Sequence, residues 1–589
     1  MSMVKRVLFT LCGLLLASSV FAAPAAKQNY DPSPFGTNCL KWEFIKDKPD
    51  VWERLHKAAV TMKNAGLYWD RDGIGYYTVH PKPDVWDWTF TDKLAEFTRK
   101  EGISCVILLG KPANQVPITD DARKDFAEYV YQCVNRYKGT FKIWEIWNEP
   151  NTPNFWRPSP NHRNYTLMLI EAYKAAKKAD PTCVVLAGGV CGPGNDFFNG
   201  IYDNGGWNYC DGFSFHPYAL ASTPIQQRLD LIYRIMNNVA ASHGKPKPIW
   251  VTEVGWQCKA DPQDEENQAI KVFQTFVISL ANGIRNTSYF SMGNYDNWGL
   301  LRSNETDGPK PSYYAVQLLT KTLGSPGPAA PFEGYLKMPA NVACYVFKKS
   351  GGDRVLILWN NDEQTREVQL PQASGLKGED IMRKPVTISN GKFTLTRIPV
   401  VITGADARAI GKVSTVYNPF IMPKGTNLIL NGSLDASPDD SIPGALKNPD
   451  TWGIGRFPHS KEAAQKAKFV TSREGLNGST CVSISESGEP ACWESRLVPV
   501  EPGKTYRLTG WIKTKDARGE NIIEIAWYNG DMWRRIGTSR SQTMLGTQDW
   551  TKVNVVGICP RDAMFVRVAL ISENNPGTTW FDNLSLVEE

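Results

Sequence analysis

Phe141-Lys142-Ile143-Trp144-Glu145-Ile146-Trp147-Asn148-Glu149-Pro150-Asn151 is a largely apolar run that stops at Asn-Glu-Pro. Proline cannot donate to a sheet ladder, so this strand is expected to end with Glu149 at its C-terminal tip. A second such run, Pro248-Ile249-Trp250-Val251-Thr252-Glu253-Val254-Gly255-Trp256, places Glu253 at a matching tip. Around these two, strand-like and helix-like segments alternate from Pro34 to about Leu323. The strand candidates are Phe35–Leu40, Leu67–Asp70, Ile103–Gly110, Phe141–Trp147, Cys183–Val190, Gly212–Phe215, Pro248–Thr252 and Ser288–Met292. Helical patterns such as Val51–Asn64, Arg123–Tyr137, Tyr165–Ala179, Gln226–Ala241, Glu266–Asn282 and Ser312–Leu323 lie between or after them. Eight such units predict an α/β fold, a (β/α)8 TIM barrel, with Glu149 on strand four and Glu253 on strand seven. An open doubly wound sheet would carry a Gly-rich phosphate turn after its first strand, and Phe35-Gly36-Thr37-Asn38-Cys39 is not one.

Beyond Leu323 the texture changes. Gly324-Ser325-Pro326-Gly327-Pro328 punctuates the chain, and only short alternating strands follow. The expected order is a barrel over 27–325, a small β-sandwich over 326–404, a linker over 405–424 and a C-terminal β jelly roll over 425–589. A chain of 589 residues is too long for one core, in keeping with several domains.

The N-terminus predicts the compartment. Lys5-Arg6 precede an apolar stretch from Val7 to Leu16, and small residues around Ala22-Ala23 suit cleavage, so 1–23 is expected to be a signal peptide. That apolar stretch is shorter than the roughly 20 residues a span needs. The mature chain is therefore expected to be secreted or periplasmic, with no membrane span. A formal charge of +6 without a dense basic stretch gives no electrostatic footprint for nucleic acid. Of 12 Cys, Cys12 leaves with the signal, so an odd number remains; Cys481 and Cys492 are a possible local bridge. No Cys-x-x-Cys occurs and the six His are scattered, which argues against a zinc site.

Two glutamates at the tops of strands four and seven of one barrel suit a specific chemistry. Cleaving a glycosidic bond through an oxocarbenium-like transition state takes two carboxyl groups flanking the anomeric carbon. One protonates the leaving oxygen, and the other attacks or activates water. The 20 Trp fit the same theme, because pyranose rings present flat apolar faces to stack on.

Trp147-Asn148-Glu149-Pro150-Asn151 and Thr252-Glu253-Val254-Gly255-Trp256 resemble the catalytic strands of clan A glycoside hydrolases. The continuation through Asn151–Trp156, Tyr165 and Lys178-Ala179-Asp180-Pro181 is most similar to family 39 and its family 5-like neighbours. The resemblance spans roughly residues 34 to 323. It implies a retaining double displacement on a β-linked polysaccharide or oligosaccharide, with Glu149 as acid/base, Glu253 as nucleophile and no cofactor for catalysis. The two carboxyls are then expected about 5–5.5 Å apart. It implies further that Asn148 meets the sugar 2-hydroxyl and that Arg71 sits near the nucleophile. His216 and Tyr218 match positions that bond the nucleophile or the substrate. Where relatives commonly carry an acid before a proline, this chain has His80-Pro81. The end of strand eight lacks a plain aromatic platform; Trp298 is expected in its place, and Asn294 is expected among the substrate-binding residues.

Plainer roles compete with some of these. Trp69 and Trp147 suit barrel packing, whereas Trp256 and Trp298, on loops, suit sugar platforms. Glu145 and Asp72 are expected to be buried supporting acids. The start Asn427–Ser433 and the end Trp580–Leu586 resemble carbohydrate-binding jelly rolls of families 4, 9 and 22. That likeness implies a structural calcium near Asp435 and Asp582 and a stacking face of Trp527, Tyr528 and Trp533. The rival functions are a non-catalytic glycan-binding protein on the same scaffold and a transglycosylase; the former gives no reason to keep Glu149, Glu253, Asn148 and Arg71 together.

Overall fold

The computed structural model describes residues 31–589 apart from 219–224, 260, 294–296, 303–307, 363, 371–374, 406–412, 416–417, 421–423, 440–445, 455–466, 489 and 531–533. Eight parallel strands close into a barrel: β1 (Phe35–Thr37), β2 (Trp69–Gly75), β3 (Ser104–Gly110), β4 (Ile143–Ile146), β5 (Val184–Cys191), β6 (Gly212–His216), β7 (Ile249–Val254) and β8 (Asn286–Tyr289), with β8 paired back onto β1. All eight predicted strands are present. The second differs most from expectation, because it runs on through Arg71-Asp72-Gly73-Ile74-Gly75. The expected strand ended at Asp70, but Arg71 continues it with its side chain in the barrel lumen, while Asp72 faces outward and accepts from Trp42 N.

Side chains alternate along each strand, so the lumen is filled in layers. At the bottom, Trp69, Val106, Ile143, Leu186 and Trp250 form a separate apolar floor, with the Trp69 and Trp250 rings edge-to-face at 5.6 Å. Two residues further along the same strands the layer turns polar: Arg71, Glu145 and Thr252 are all buried. Two more steps bring the chain to the mouth. This stacking, apolar and then polar, positions the site.

The surrounding helices follow their sequence signals. Asp120–Tyr137 is capped by Thr119, whose side chain accepts from Ala122 N at 3.2 Å, and Pro262–Ala281 starts at a proline behind the Asp261 cap. Both bury one apolar face, including Phe126, Val130 and Val134 in the first and Phe273, Phe276 and Val277 in the second. Besides the single turns Trp42–Ile45 and Tyr76–Val79, two longer helices fall outside the patterns named above. Thr89–Glu101 is charge-rich, and Asn195–Asp203 is short, contains Gly200 and follows Gly-Pro-Gly.

The second domain is a sandwich of a six-stranded and a two-stranded sheet around Val346, Leu356, Leu358, Phe393 and Ile402. The third packs two larger antiparallel sheets about Trp493, Ile525, Trp527, Val568 and Phe581. Neither domain hangs free. Tyr335, Tyr345 and Trp359 of the second, and Ala526, Tyr528, Met564 and Phe565 of the third, join the barrel's own apolar cluster. The segment expected to be a linker is anchored where it is described: Phe420 is buried in that cluster and Asn418 donates to Asp230 at 2.9 Å. Arg561–Asp203 and Arg234–Glu501, both at 2.6 Å, tie the third domain to the barrel. Cys481 and Cys492 are both thiols on strands of opposite sheets, so the bridge considered above is not formed.

The floor carries a stability test. Trp250→Ala empties the largest part of that layer and is expected to cost about 3–5 kcal/mol, read as a clear fall in the barrel's melting temperature. A variant that melts with the wild type would show that the floor does not depend on this ring.

Candidate active site

The tip of β4 is held in a conformation few residues adopt. Trp147 (φ 72°) and Glu149 (φ 43°) both lie in the left-handed region, on either side of Asn148. Each such residue costs on the order of 1–3 kcal/mol and persists only where its surroundings fix it. Here Trp147 N donates to Leu109 O at 2.9 Å, Glu149 N to Gly189 O at 2.8 Å and the Trp147 indole to Phe155 O at 2.9 Å. Gly189 has to be glycine: it has a positive φ, and a Cβ there would lie 3.1 Å from Trp147 O and 3.3 Å from Glu145 Oε1. Strain at β4 and a glycine bulge in β5 thus aim Glu149 into the mouth.

A second irregularity aims Glu253. The β7–β8 register shifts between Val251 and Val254. In a regular strand Thr252 and Glu253 would face opposite sides, but a bulge re-aims side chains. Thr252 reaches down to Glu145 at 2.7 Å, while Glu253 reaches Arg71 and Tyr218 at the rim.

Together these groups form one connected chain. Glu149 Oε1 lies 3.0 Å from His216 Nδ1, and His216 Nε2 lies 3.1 Å from Thr252 Oγ1. Thr252 donates to Glu145 Oε1, and Arg71 donates to Glu145 Oε2 from Nε at 2.8 Å and Nη2 at 2.6 Å. Arg71 also donates to Asn148 Oδ1 at 2.8 Å and, through Nη1, to Glu253 Oε1. Tyr218 donates to Glu253 Oε2 at 2.8 Å. One atom each from Glu149, His216 and Glu253 lie within 4.8 Å of one another.

Donor and acceptor roles follow from this order. A carboxylate only accepts, so the Thr252 hydroxyl gives its proton to Glu145 and accepts from His216 Nε2–H. The Glu149–His216 contact then holds one proton, on the carboxyl or on Nδ1. Burial alone would raise the Glu253 carboxyl, but the nearby charges of His216 and Arg71, with hydrogen bonds from Tyr218 and Arg71, hold it below its ordinary value. The Tyr218 phenol is pushed well up, by burial first and then by the Glu253 charge, so it remains a donor. Glu253 is therefore set as an anion facing a proton-bearing partner.

The structure brings together Glu149, Glu253, Asn148, Arg71, His216 and Tyr218, as expected from the sequence. His216 differs in detail: it is fully buried, and its nearest acidic partner is Glu149. Trp298 is half-buried with its ring 5.2 Å from Tyr218, on the Glu253 side of the mouth. Trp256 corrects its assignment as a platform. Its ring is buried and donates to Thr275 Oγ1 at 3.0 Å, anchoring the following helix. Asn294 lies outside the described residues. Glu145 is the supporting acid foreseen, and Asp72 accepts from Trp42 N at 2.7 Å. His80 stacks on Trp86 at 4.3 Å.

Thr252 was missed. Its one signal was its position two residues above Trp250 on a lumen-facing strand. Lys41 was missed too; it lies in the left-handed region with Nζ 4.4 Å from the Phe290 ring centre, and burial lowers its pKa against the pull of Asp72 and Glu253.

In the third domain, Trp527 is core and Tyr528 is buried against the barrel, so neither offers the expected stacking face; Trp533 lies outside the described residues. Asp582 accepts from Ser479 Oγ (2.6 Å), Leu476 N (2.8 Å) and Asn583 N (2.6 Å), while exposed Asp435 accepts from Ser433 Oγ at 2.7 Å. Both Asp582 oxygens and Asp435 Oδ2 thus accept from protein donors.

No family model matches the sequence, and no curated protein matches it. Among solved structures, a family 39 glycoside hydrolase from the gut symbiont Bacteroides cellulosilyticus WH2 aligns over 63% of this chain and 81% of its own, at 23% identity and a TM-score of 0.51. That likeness is one of fold. Weaker likenesses are to a family 39 β-xylosidase from Caulobacter crescentus (16% identity, 65% of this chain and 97% of that one, TM-score 0.45) and to the catalytic domain of a family 30 xylanase C from Talaromyces cellulolyticus (14%, 63% and 96%, 0.46).

Asp70, one residue before Arg71, provides a pH test. It is fully buried, accepts from Cys39 N (2.7 Å) and Leu40 N (3.2 Å), and leaves Oδ2 without a partner. Burial raises its pKa to about 7. A carboxyl raised from about 3.9 in the unfolded chain stabilises the fold fully below that value, and the contribution is lost as pH rises through 7. Asp70→Asn cannot ionise, so its melting temperature is expected to gain several degrees on the wild type between pH 4 and pH 8. Parallel pH profiles for the two proteins would contradict the shift.

Proposed function

We propose that this chain is an exported, retaining O-glycoside hydrolase that cleaves a β-linked polysaccharide or oligosaccharide. The observation that carries the reading is the pair of glutamates at the mouth, with one oxygen of each within 4.8 Å of the other. Retaining enzymes hold their carboxyls about 5–5.5 Å apart, whereas inverting enzymes need roughly 6.5–9.5 Å to admit a water between them.

In the first step Glu253 Oε attacks the anomeric carbon as the bond to the leaving oxygen breaks, and the proton held between Glu149 and His216 passes to that oxygen. A glycosyl ester on Glu253 results. In the second step Glu149 takes a proton from water, whose oxygen attacks the same carbon, and the Glu253 carboxylate departs. Arg71 and Tyr218 keep the nucleophile ionised and aimed, and they receive its charge again at the end. In this reading Asn148, oriented by Arg71, meets the sugar 2-hydroxyl, and Trp298 stacks on the ring. Export rests on the signal-like N-terminus; among the described residues no helix is long and apolar enough to cross a membrane.

Two substitutions test this. Glu253→Gln is expected to lower kcat on the best aryl β-glycoside by at least roughly 10⁴-fold, with the wild type releasing the β-anomer first by proton NMR. Undiminished activity in the variant, or an α-anomer as first product, would refute the reading. Thr252→Val keeps the shape but removes the hydroxyl that orients His216, and it is expected to cost about tenfold in kcat with little change in KM. An unchanged kcat would show that the buried chain plays no part in turnover.

A further inference from the structure

The third domain meets the barrel at the loop that fixes the acid/base. Asn151, two residues past Glu149, donates from Nδ2 to Cys191 O at 2.7 Å and accepts from Cys191 N at 2.9 Å, a two-bond clasp onto the end of β5. The next residue, Gly192, donates to His216 O at 2.9 Å. Cys191-Gly192 thus joins the backbone behind Glu149 to the backbone of the histidine that shares its proton.

On its other side this segment is covered by a corner of the third domain, where the strand Glu520–Asn529 ends. Asn529 Nδ2 donates to Asp196 Oδ2 at 3.0 Å. Gly530 lies against the barrel loop with no room for a side chain: a Cβ there would sit 3.1 Å from Gly194 N, 3.1 Å from Asn195 Oδ1 and 3.2 Å from Pro193 Cβ. Its carbonyl oxygen faces Gly192 in turn, 3.5 Å from where a Cβ of that residue would stand. Asn195, fully buried, donates to Arg561 O at 3.4 Å, and Asn199 to Asp562 at 2.8 Å. Tyr528 and Phe565 seal the junction with apolar contact.

We propose that the third domain is a positioning element of the catalytic centre, in which the Asn529-Gly530 corner clamps Cys191–Asp196 and so holds Glu149 in line. The inference rests on the glycosidase reading. A tethered binding module would need none of these contacts, and its two described stacking candidates are buried. The nucleophile has its own support: Glu253 is aimed by the β7 bulge and by Arg71, which lie away from the clamp. Loosening the corner should therefore weaken proton donation to the leaving group more than nucleophilic attack.

Leaving-group dependence separates the two. Full-length Gly530→Val wedges the clamp open, and Asn529→Asp sets a carboxylate against Asp196 without changing size. On aryl β-glycosides of the glycone that the wild type cleaves best, both are expected to lose about tenfold in kcat/KM with phenol as leaving group. With 2,4-dinitrophenol, which departs without protonation, the loss should stay under about twofold. Adding Asp196→Asn to Asn529→Asp exchanges donor and acceptor and is expected to restore the phenyl activity. Arg561→Ala, which removes the exposed rim pairs with Asp203 and Asp562 but keeps the Arg561 carbonyl that Asn195 bonds, should alter neither. Equal losses on both substrates, no loss on either, or no rescue by the exchange would overturn the proposal. A wild type that cleaves no glycoside would instead refute the glycosidase reading.

Discussion

A single buried guanidinium holds the mouth of the barrel together. Arg71 is almost fully buried and bonds Glu145, Glu253 and Asn148 at once, drawing strands two, four and seven toward one point. A buried charge is tolerable only when paired, and removing one partner of such a pair costs about 3–5 kcal/mol because the other is left stranded. Glu145, with no exposed surface, has no solvent to fall back on. The arginine thus neutralises the buried Glu145 below and keeps Glu253 ionised above. Its planar fork suits that double duty, since its donors lie in one plane at fixed angles.

The two glutamates of the mouth differ through their neighbours. Glu253 faces donors only: a guanidinium and a phenol kept protonated by burial and by the anion beside it. Glu149 faces an imidazole whose far nitrogen is already committed to Thr252. One environment stabilises an anion and the other stores a proton, which is the division that acid-assisted displacement at a sugar carbon requires. Backbone irregularities make the division geometrically possible. Without the left-handed residues at the end of β4 and the bulge in β7, the two side chains would not converge.

Much of this was legible in the sequence because it is local. Proline after Glu149, glycine after Glu253 and the alternation of strands and helices each act over a few residues, and they pointed to eight strands and both glutamates; the surrounding polar set came from the resemblance to clan A catalytic strands. What was not legible depends on packing between distant segments. Trp256 looked like a platform because it follows a strand on a glycine, yet Thr275 and the helix core take it inward. The second strand was expected to end at Asp70 because hydrophobicity cannot tell a polar lumen residue such as Arg71 from one in solvent. Tyr528 looked like a sugar-stacking ring because no sequence pattern reveals that a domain more than 300 residues downstream docks on the barrel.

The most direct test is whether Glu253 forms a covalent bond to sugar. Incubating the enzyme with a 2,4-dinitrophenyl 2-deoxy-2-fluoro-β-glycoside slows the second step more than the first, so the intermediate accumulates. Peptide mapping by mass spectrometry should then find one glycosyl group on the peptide that contains Glu253. Label on another carboxylate, or turnover of the parent glycoside with no trapped adduct and an inverted product, would contradict it.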